Sequence, residues 1–260
     1  MRSVARPVVC GPTVAVAILA ACGGGHSAEI VAPAPSTNAK PASTAPTPID
    51  TTGLPRIRFS RGTTSGIHDD KLQAGATRSY VLFAQGGQVM LVHAIGWPVA
   101  EAEHPPADPE VRVLEAATGR ELPSPRAEPE IWSGRLPSTG EFIVRVTAST
   151  PTAYTLAVQI PKRLEISPGE PTAVFTGTAP SRAPVDFLVR VDAGRTLEVS
   201  LGGAPTVGLH IYGLNDGAQL ARLSDRQRLY AARVATSQDY VVSMVPWAER
   251  AAYDLRVTVR

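Results

Sequence analysis

Residues 56–96 read RIRFSRGTTSGIHDDKLQAGATRSYVLFAQGGQVMLVHAIG, and they align without a gap with residues 163–203, RLEISPGEPTAVFTGTAPSRAPVDFLVRVDAGRTLEVSLGG, at an offset of 107 residues. A second ungapped block pairs residues 113–146 with residues 211–244 at an offset of 98. The matching positions include glycines, aromatic residues and β-branched residues: Gly87 with Gly194, Tyr80 with Phe187, Trp132 with Tyr230, Phe142 with Tyr240 and Val144 with Val242. This self-similarity indicates that the folded part of the chain is a duplicated unit.

Each unit has the sequence pattern of β-strands. Apolar residues recur at every second position, as in Phe142, Val144 and Val146, and no segment shows a sustained helical period. The strands predicted in the first unit are 57–60, 79–84, 88–93, 111–114, 131–136, 141–147 and 153–160. The pattern predicts an all-β protein with two tandem small antiparallel β-sandwich domains, jelly-roll-like in form, at residues 55–161 and 162–260.

The first 54 residues have the features of a secretion signal followed by a tether. Arg2 and Arg6 precede an apolar run at residues 14–21, far shorter than the roughly 20 residues that span a bilayer. We therefore interpret residues 1–21 as a signal peptide. Residues 22–54 are rich in Pro, Ala, Ser and Thr, a composition that predicts a disordered tether.

The end of the signal peptide, Leu19-Ala20-Ala21-Cys22, is followed by three glycines. It resembles the lipobox of bacterial lipoproteins, and the resemblance implies that Cys22 is the lipid-attachment site, carrying acyl chains such as palmitate. The alternative is an ordinary signal peptide with an incidental cysteine. Because Gly23 is not the aspartate that retains lipoproteins at the inner membrane, the resemblance implies an outer-membrane protein that faces the periplasm of a Gram-negative host.

The composition argues against several classes of function. There are 25 Lys and Arg residues against 23 Asp and Glu, a formal net charge of +2, so no basic field predicts nucleic acid as a partner. The two cysteines provide neither a disulfide framework nor a zinc knuckle. The sequence has no HExxH or Gly-x-Ser-x-Gly motif, and we interpret His68-Asp69-Asp70 as a solvated turn. We therefore expect no metal, no cofactor and no catalytic residue.

A set of turn and core residues marks the first unit: Arg61-Gly62, Tyr80, Ala84, Gly87-Gln88, Leu136-Pro137 and Gly140. With this set the unit resembles the periplasmic inhibitors of g-type lysozyme, a family that shares its sandwich with bacterial pre-peptidase C-terminal domains. The second unit keeps only Gly169, Phe187, Gly194 and Tyr240. The resemblance implies a β-sandwich that presses a loop with Arg and Tyr into an acidic enzyme cleft. The matching turn of the first unit, residues 149–152, is short and has no arginine, so no inhibitory residue is assigned.

Two groups of residues are candidates for binding. Trp97 opens a nine-residue insertion of the first unit, within WPVAEAEHPPADPE at residues 97–110, and it either anchors a protein or sugar ring or caps the sandwich core. The second group belongs to the second unit and consists of Arg222, Arg226 and Arg228, with Trp247 and Arg250 in the last hairpin turn. These arginines predict either a local anion-seeking face or an ordinary solvated face.

These observations predict a non-catalytic lipoprotein of the cell envelope that binds a protein partner through its sandwich loops and is a candidate inhibitor of g-type lysozyme. The alternative function is a glycan-binding, structural or accessory envelope lipoprotein without inhibitory activity. A hydrolase is the third class, and it requires distant loops to assemble a compact Ser/His/Asp cluster.

Overall fold

The structure is a computed structural model, and it describes residues 47–97, 108–166, 169–223, 227–246 and 250–260. All of these residues belong to one compact unit, Ala45–Arg260. Their regular structure consists of 16 strands and no helix, which confirms the prediction of an all-β protein. In the described part of the chain there is accordingly no helix with the length and hydropathy needed to cross a membrane. The predicted signal peptide and Cys22 lie outside the described residues.

The first half of the unit contains seven strands in two facing sheets. The strands are β1 (Ser65–Leu72), β2 (Thr77–Ala84), β3 (Val89–Trp97), β4 (Glu110–Glu115), β5 (Ile131–Arg135), β6 (Gly140–Thr147) and β7 (Thr152–Gln159). One sheet has the order β1-β7-β3-β5 and the other has the order β2-β6-β4, with antiparallel pairing throughout. Alternate residues of both sheets point inward and form one core, which includes Tyr80, Val92, Phe142 and Leu156.

The second half contains nine strands, again in two facing sheets. The strands are β8 (Lys162–Leu164), β9 (Thr172–Ala179), β10 (Val185–Val191), β11 (Thr196–Gly203), β12 (Val207–Gly213), β13 (Gln219–Leu223), β14 (Leu229–Arg233), β15 (Gln238–Pro246) and β16 (Ala251–Val259). The two sheets have the orders β9-β16-β11-β14 and β8-β10-β15-β12-β13. Their inner faces form a second core, which includes Phe187, Val199, Tyr240 and Leu255.

The two halves share one topology, which supports the predicted duplication. The order β1-β7-β3-β5 corresponds strand by strand to β9-β16-β11-β14, and β2-β6-β4 corresponds to β10-β15-β12. The flanking strands β8 and β13 correspond to two single bridges of the first half, Arg56 with Val81 and Leu114 with Glu121. Gly87 and Gly194, which the sequence alignment pairs, have φ angles of +81° and +82° in equivalent hairpins. The shared order is that of a jelly roll, as the sequence predicts.

The first strand differs from the sequence-based expectation. Residues 68–70, interpreted above as a solvated turn, lie inside β1, so the prediction of a turn is wrong, although His68 and Asp69 are exposed to solvent. Asp69 accepts a hydrogen bond from the hydroxyl of Thr155 at 2.8 Å, and Asp70 accepts one from the hydroxyl of Tyr80 at 2.8 Å. β1 is an edge strand with few apolar residues, and a strand of that kind shows no clear alternation. The predicted strand at 57–60 is reduced to the single bridge of Arg56 with Val81.

The predicted tether also ends earlier than residue 54. Ile49 and Leu54 pack against a small apolar cluster on the outer face of the first sandwich, around Val81 and Ile143. The amide of Ile49 donates to the carbonyl of Ala116 at 2.9 Å. Two apolar side chains at the end of a Pro/Thr-rich stretch are thus enough to hold this segment against the sheet, so the part in contact with the sandwich begins before Pro55.

Candidate functional site

The two sandwiches pack face to face, and we call their contact the seam. The outer face of the sheet β1-β7-β3-β5 lies against the outer face of the sheet β8-β10-β15-β12-β13. An apolar cluster forms the middle of the seam and contains Val89, Leu91, Leu188, Tyr212, Leu214 and Val241. All eight residues of β7 are buried, because this strand is covered by the core on one face and by the seam on the other. The seam therefore brings residues of the two repeats into one environment.

Polar contacts across the seam set the orientation of the two sandwiches. His93 on β3 bonds through Nε2 to Asp186 Oδ2 on β10 at 2.9 Å, and both side chains are almost fully buried. The side-chain amide Nε2 of Gln159 donates a hydrogen bond to the backbone carbonyl of Pro184 at 2.6 Å. Because buried hydrogen bonds demand specific geometry, these contacts favour one register of the seam over others.

A row of polar side chains crosses the second sandwich at the seam. Asp186, Ser243, His210 and Arg222 are neighbours in register on the adjacent strands β10, β15, β12 and β13. Residues that face each other in a sheet project to the same side, and the contact of Asp186 with His93 shows that this side is the seam. The row is therefore a continuous polar strip that faces the first sandwich.

The row borders a cleft of about 190 Å³ at the open end of the seam. His93, Ile95, Asp108, Glu130 and Ile131 line it from the first sandwich, and Pro184, His210, Tyr212, Arg222, Ser243, Val245 and Pro246 line it from the second. One wall of the cleft is therefore contributed by each repeat.

Burial keeps two titratable side chains of the cleft, His210 and Tyr212, uncharged. It lowers the pKa of His210 from 6.5 to about 4, and the positive charge of Arg222 adds to this effect. Burial, followed by the nearby carboxylate of Asp186, raises the pKa of Tyr212 well above its usual value of 10. At neutral pH the cleft therefore presents a neutral imidazole and a neutral phenol.

Several buried polar atoms of this region have no hydrogen-bond partner among the described residues. They are Asp186 Oδ1, His210 Nε2, Tyr212 Oη and Ser243 Oγ. Ser243 and Tyr212 are each only 1% exposed. A buried polar atom without a partner costs on the order of 1–3 kcal/mol, so these atoms are free to bond a molecule that enters the cleft.

The strip contains the residue types of a Ser/His/Asp hydrolase, but the structure does not connect them as one. Ser243 Oγ makes no hydrogen bond to a described residue, whereas a nucleophilic serine is activated by a bonded base. Asp186 bonds His93, on the opposite sandwich, through Oδ2. The arrangement thus provides polar groups with free hydrogen-bonding capacity and no activated nucleophile among the described residues. The described residues also include no cluster of three or more metal-ligating side chains.

Strand register places three predicted binding residues near one end of the second sandwich. The turn between β9 and β10 and the turn between β15 and β16 share this end, because Ala179 pairs with Ala251. Arg250 is exposed in the second of these turns, and Arg222 is exposed at the end of β13. Trp97, which ends β3, lies under the guanidinium of Arg182 at 4.5 Å. We call Trp97, Arg182, Arg222 and Arg250 the loop end.

The remaining predicted binding residues do not join this group. Arg228 is half-buried and donates to the carbonyls of Leu201 and Gly202 at 2.7 and 2.9 Å, so its guanidinium is engaged by β11. The neighbouring Leu229 is 61% exposed, the reverse of what the alternation of apolar and polar residues predicts. Arg226 and Trp247 lie outside the described residues.

The polar row was not predicted as a site from the sequence. Its members lie on four strands, and more than 50 residues separate Asp186 from Ser243. His93 and His210 are isolated in the sequence, with no metal or catalytic spacing around them. A single weak signal exists, because polar residues interrupt otherwise apolar strands at Asp186 and Ser243.

Comparisons with known proteins show only remote similarity. No protein-family model matches the chain, and no curated protein matches it. Among solved structures, the periplasmic inhibitor of g-type lysozyme PliG from Aeromonas hydrophila is 15% identical, with a TM-score of 0.35 over 38% of this chain and 95% of that chain. PliG from Salmonella Typhimurium is 15% identical, with a TM-score of 0.29 over 42% of this chain and 98% of that chain. The CUB1-EGF-CUB2 domain of human MASP-1/3 is 9% identical, with a TM-score of 0.23 over 76% of this chain and 100% of that chain.

Proposed function

We propose that this chain is a non-catalytic lipoprotein of the cell envelope that binds a protein partner through the loop end, and that the partner is a g-type lysozyme. The observation that carries the proposal is the clustering of Arg182, Arg222 and Arg250 near one end of the second sandwich, beside Trp97. No described ion pair engages any of these three arginines. Their positive charges are therefore available to a partner.

The chemistry of the loop end suits an acidic partner. The planar guanidinium group binds carboxylates through two parallel hydrogen bonds, and it also stacks on aromatic rings, as Arg182 does on Trp97. The seam fixes both sandwiches before binding, which reduces the entropy lost on association. The resemblance of the first unit to lysozyme inhibitors supports an acidic enzyme cleft as the target, although here the arginines lie in the second unit.

We further propose that the protein is attached to the membrane through Cys22. The apolar run and the small residues before Cys22 support this assignment. Acyl chains contribute about 0.8 kcal/mol for each buried CH₂ group, which anchors a protein stably when several chains are present. The wild-type protein should be recovered in the membrane fraction of a Gram-negative host and the Cys22→Ser variant in the soluble fraction. Equal fractionation of the two would contradict the anchor.

The inhibitory role is tested by titrating the purified protein against g-type, c-type and i-type lysozymes in a cell-wall lysis assay. We expect stoichiometric inhibition of the g-type enzyme alone. The double variant Arg222→Ala/Arg250→Ala should weaken inhibition at least about tenfold, because two charge-assisted contacts to the acidic cleft of the lysozyme are lost.

Arg195→Ala provides the matched control, since Arg195 is exposed in the turn before β11, at the opposite end of the same sandwich. Its inhibition should equal that of the wild type. If the wild-type protein inhibits no lysozyme at micromolar concentration, the proposed partner is wrong. If the double variant inhibits like the wild type, the loop end is not the contact surface.

A further inference from the structure

We propose that the cleft at the open end of the seam binds a compact, neutral, polyhydroxylated molecule the size of a single sugar ring. The binding groups are Ser243, Tyr212 and His210 on the floor, with Arg222 at the rim. Arg222 belongs to both the rim of this cleft and the loop end, but the proposal rests on the buried groups of the floor and does not depend on the protein-binding function.

Three buried polar atoms on residues of the cleft have no hydrogen-bond partner in the described part of the chain. Ser243, Tyr212 and His210 are among the residues that line the cleft, and the buried atoms Oγ, Oη and Nε2 of these residues bond no described residue. Native proteins satisfy nearly all buried polar groups, so three such atoms in one small cleft indicate a missing hydrogen-bond partner. That partner is either a bound ligand or ordered water.

These three atoms can act as hydrogen-bond donors or acceptors. The hydroxyls of Ser243 and Tyr212 both donate and accept, and the neutral imidazole of His210 does one or the other according to its tautomer. Hydroxyl groups of a ligand also donate and accept, so a polyhydroxylated molecule can satisfy all three. A carboxylate or an ammonium ion is a poorer match. Burial keeps both His210 and Tyr212 uncharged, so neither side chain supplies the opposite charge that a buried ion needs.

The charged residues of the cleft also favour a neutral ligand. Arg222 supplies one positive charge, while Asp108 and Glu130 supply negative charges on the opposite wall. Asp108 already accepts a hydrogen bond from the amide of Gly96 at 2.8 Å. Because charges of both signs lie at the rim, neither an anion nor a cation is favoured there. A neutral hydroxyl group can donate to the carboxylates and accept from the guanidinium.

The size and shape of the cleft also suit a single sugar ring. The cleft of about 190 Å³ holds the volume of about six water molecules, which is the scale of one six-membered ring with its hydroxyl groups. Its remaining walls are apolar and include Ile95, Ile131, Pro184, Val245 and Pro246. Apolar walls around a few converging polar groups are typical of small-molecule sites, and they suit the C–H faces of a sugar ring.

The test is calorimetric and NMR titration of the purified full-length protein with glucose, galactose and N-acetylglucosamine, with inorganic phosphate and glycine as charged probes. We expect saturable binding of at least one sugar and no binding of the charged probes. Ser243→Ala and Tyr212→Phe should each weaken that binding at least about tenfold. Neither variant should lower Tm, because each removes a hydroxyl that has no hydrogen-bond partner among the described residues.

Ser200→Ala is the matched control, because Ser200 lies on β11, in the sheet away from the seam, and should leave sugar binding unchanged. The proposal is overturned if no sugar binds up to about 10 mM, or if both cleft variants bind sugar like the wild type. It is also overturned if phosphate or glycine binds in place of sugar. A lower Tm for both variants without sugar binding would show that the cleft holds ordered water only. Lysozyme inhibition is measured separately, so failure of either proposal is recognised independently.

Discussion

Replacing Leu91 with aspartate should lower the free energy of unfolding by about 4 kcal/mol or more. Leu91 is fully buried in the seam, in the apolar cluster with Leu188, Tyr212 and Val241. An aspartate at this position loses the apolar contacts and places a carboxylate in the buried seam, where the two residues that pair with position 91, Ser133 and Gln159, are uncharged. A buried charge without an oppositely charged partner is among the most destabilising changes that a protein can undergo.

The measurement is urea unfolding followed by circular dichroism and tryptophan fluorescence. Leu229→Asp is the matched control, since it makes the same chemical change at a residue that is 61% exposed, and it should cost less than about 1 kcal/mol. Equal unfolding midpoints for the two variants would show that the seam contributes nothing to stability.

The same experiment tests the domain boundary that we propose between Pro161 and Lys162. Each sandwich has its own core, and the seam is the contact between them. If each sandwich is a separate domain, Leu91→Asp should convert one unfolding transition into two. A single transition shifted to lower urea would show instead that the sandwiches fold as one cooperative unit.

Replacing Asp239 with asparagine should destabilise the protein by about 2–3 kcal/mol at pH 7. Asp239 is almost fully buried on β15, and it accepts two parallel hydrogen bonds of 2.7 Å from Arg163 on β8. Arg135 of the first sandwich approaches the same carboxylate at 3.4 Å. The variant keeps the shape of the side chain but removes the charge that both arginines share.

The effect of this substitution should depend on pH. The hydrogen bonds from Arg163 lower the pKa of Asp239, so its stabilising contribution is complete above the value of about 4 found in unfolded chains. The contribution is lost as the pH falls through the lower value of the folded state. The difference in unfolding free energy between wild type and Asp239→Asn should therefore narrow below about pH 4. Asp254→Asn, at an exposed position on β16, is the matched control and should show no such narrowing.

Most of the fold was predictable from local sequence. Where alternate residues are apolar, as at residues 141–147, the predicted strand agrees with the structure within a few residues. Where a glycine marks a turn, as at Gly87, the turn is also found. The prediction from the alternation of apolar and polar residues is wrong at β1. The polar residues Asp69 and Asp70 of this strand are held by hydrogen bonds from other strands. Such bonds depend on tertiary contacts, so alternation alone does not reveal them.

The candidate site was far less predictable. The sequence indicates Arg222, Arg250 and Trp97 as candidate binding residues, but nothing in it indicates that they lie near one another. The cleft residues Ser243 and His210 have no distinctive neighbours in the chain, and they meet only through the pairing of β12 with β15. The wall opposite them comes from the other repeat, across the seam.

The sequence by itself determined that this protein is all-β and that it consists of one jelly-roll unit used twice. Alternation and turn glycines act over a few residues, and duplication is visible in the aligned positions, so both can be recognised without coordinates. Only the tertiary structure decided that the two sandwiches pack through their outer faces, and where the cleft lies between them. Those features depend on contacts between residues far apart in the chain, such as His93 with Asp186, and their energies arise only when both partners are buried together.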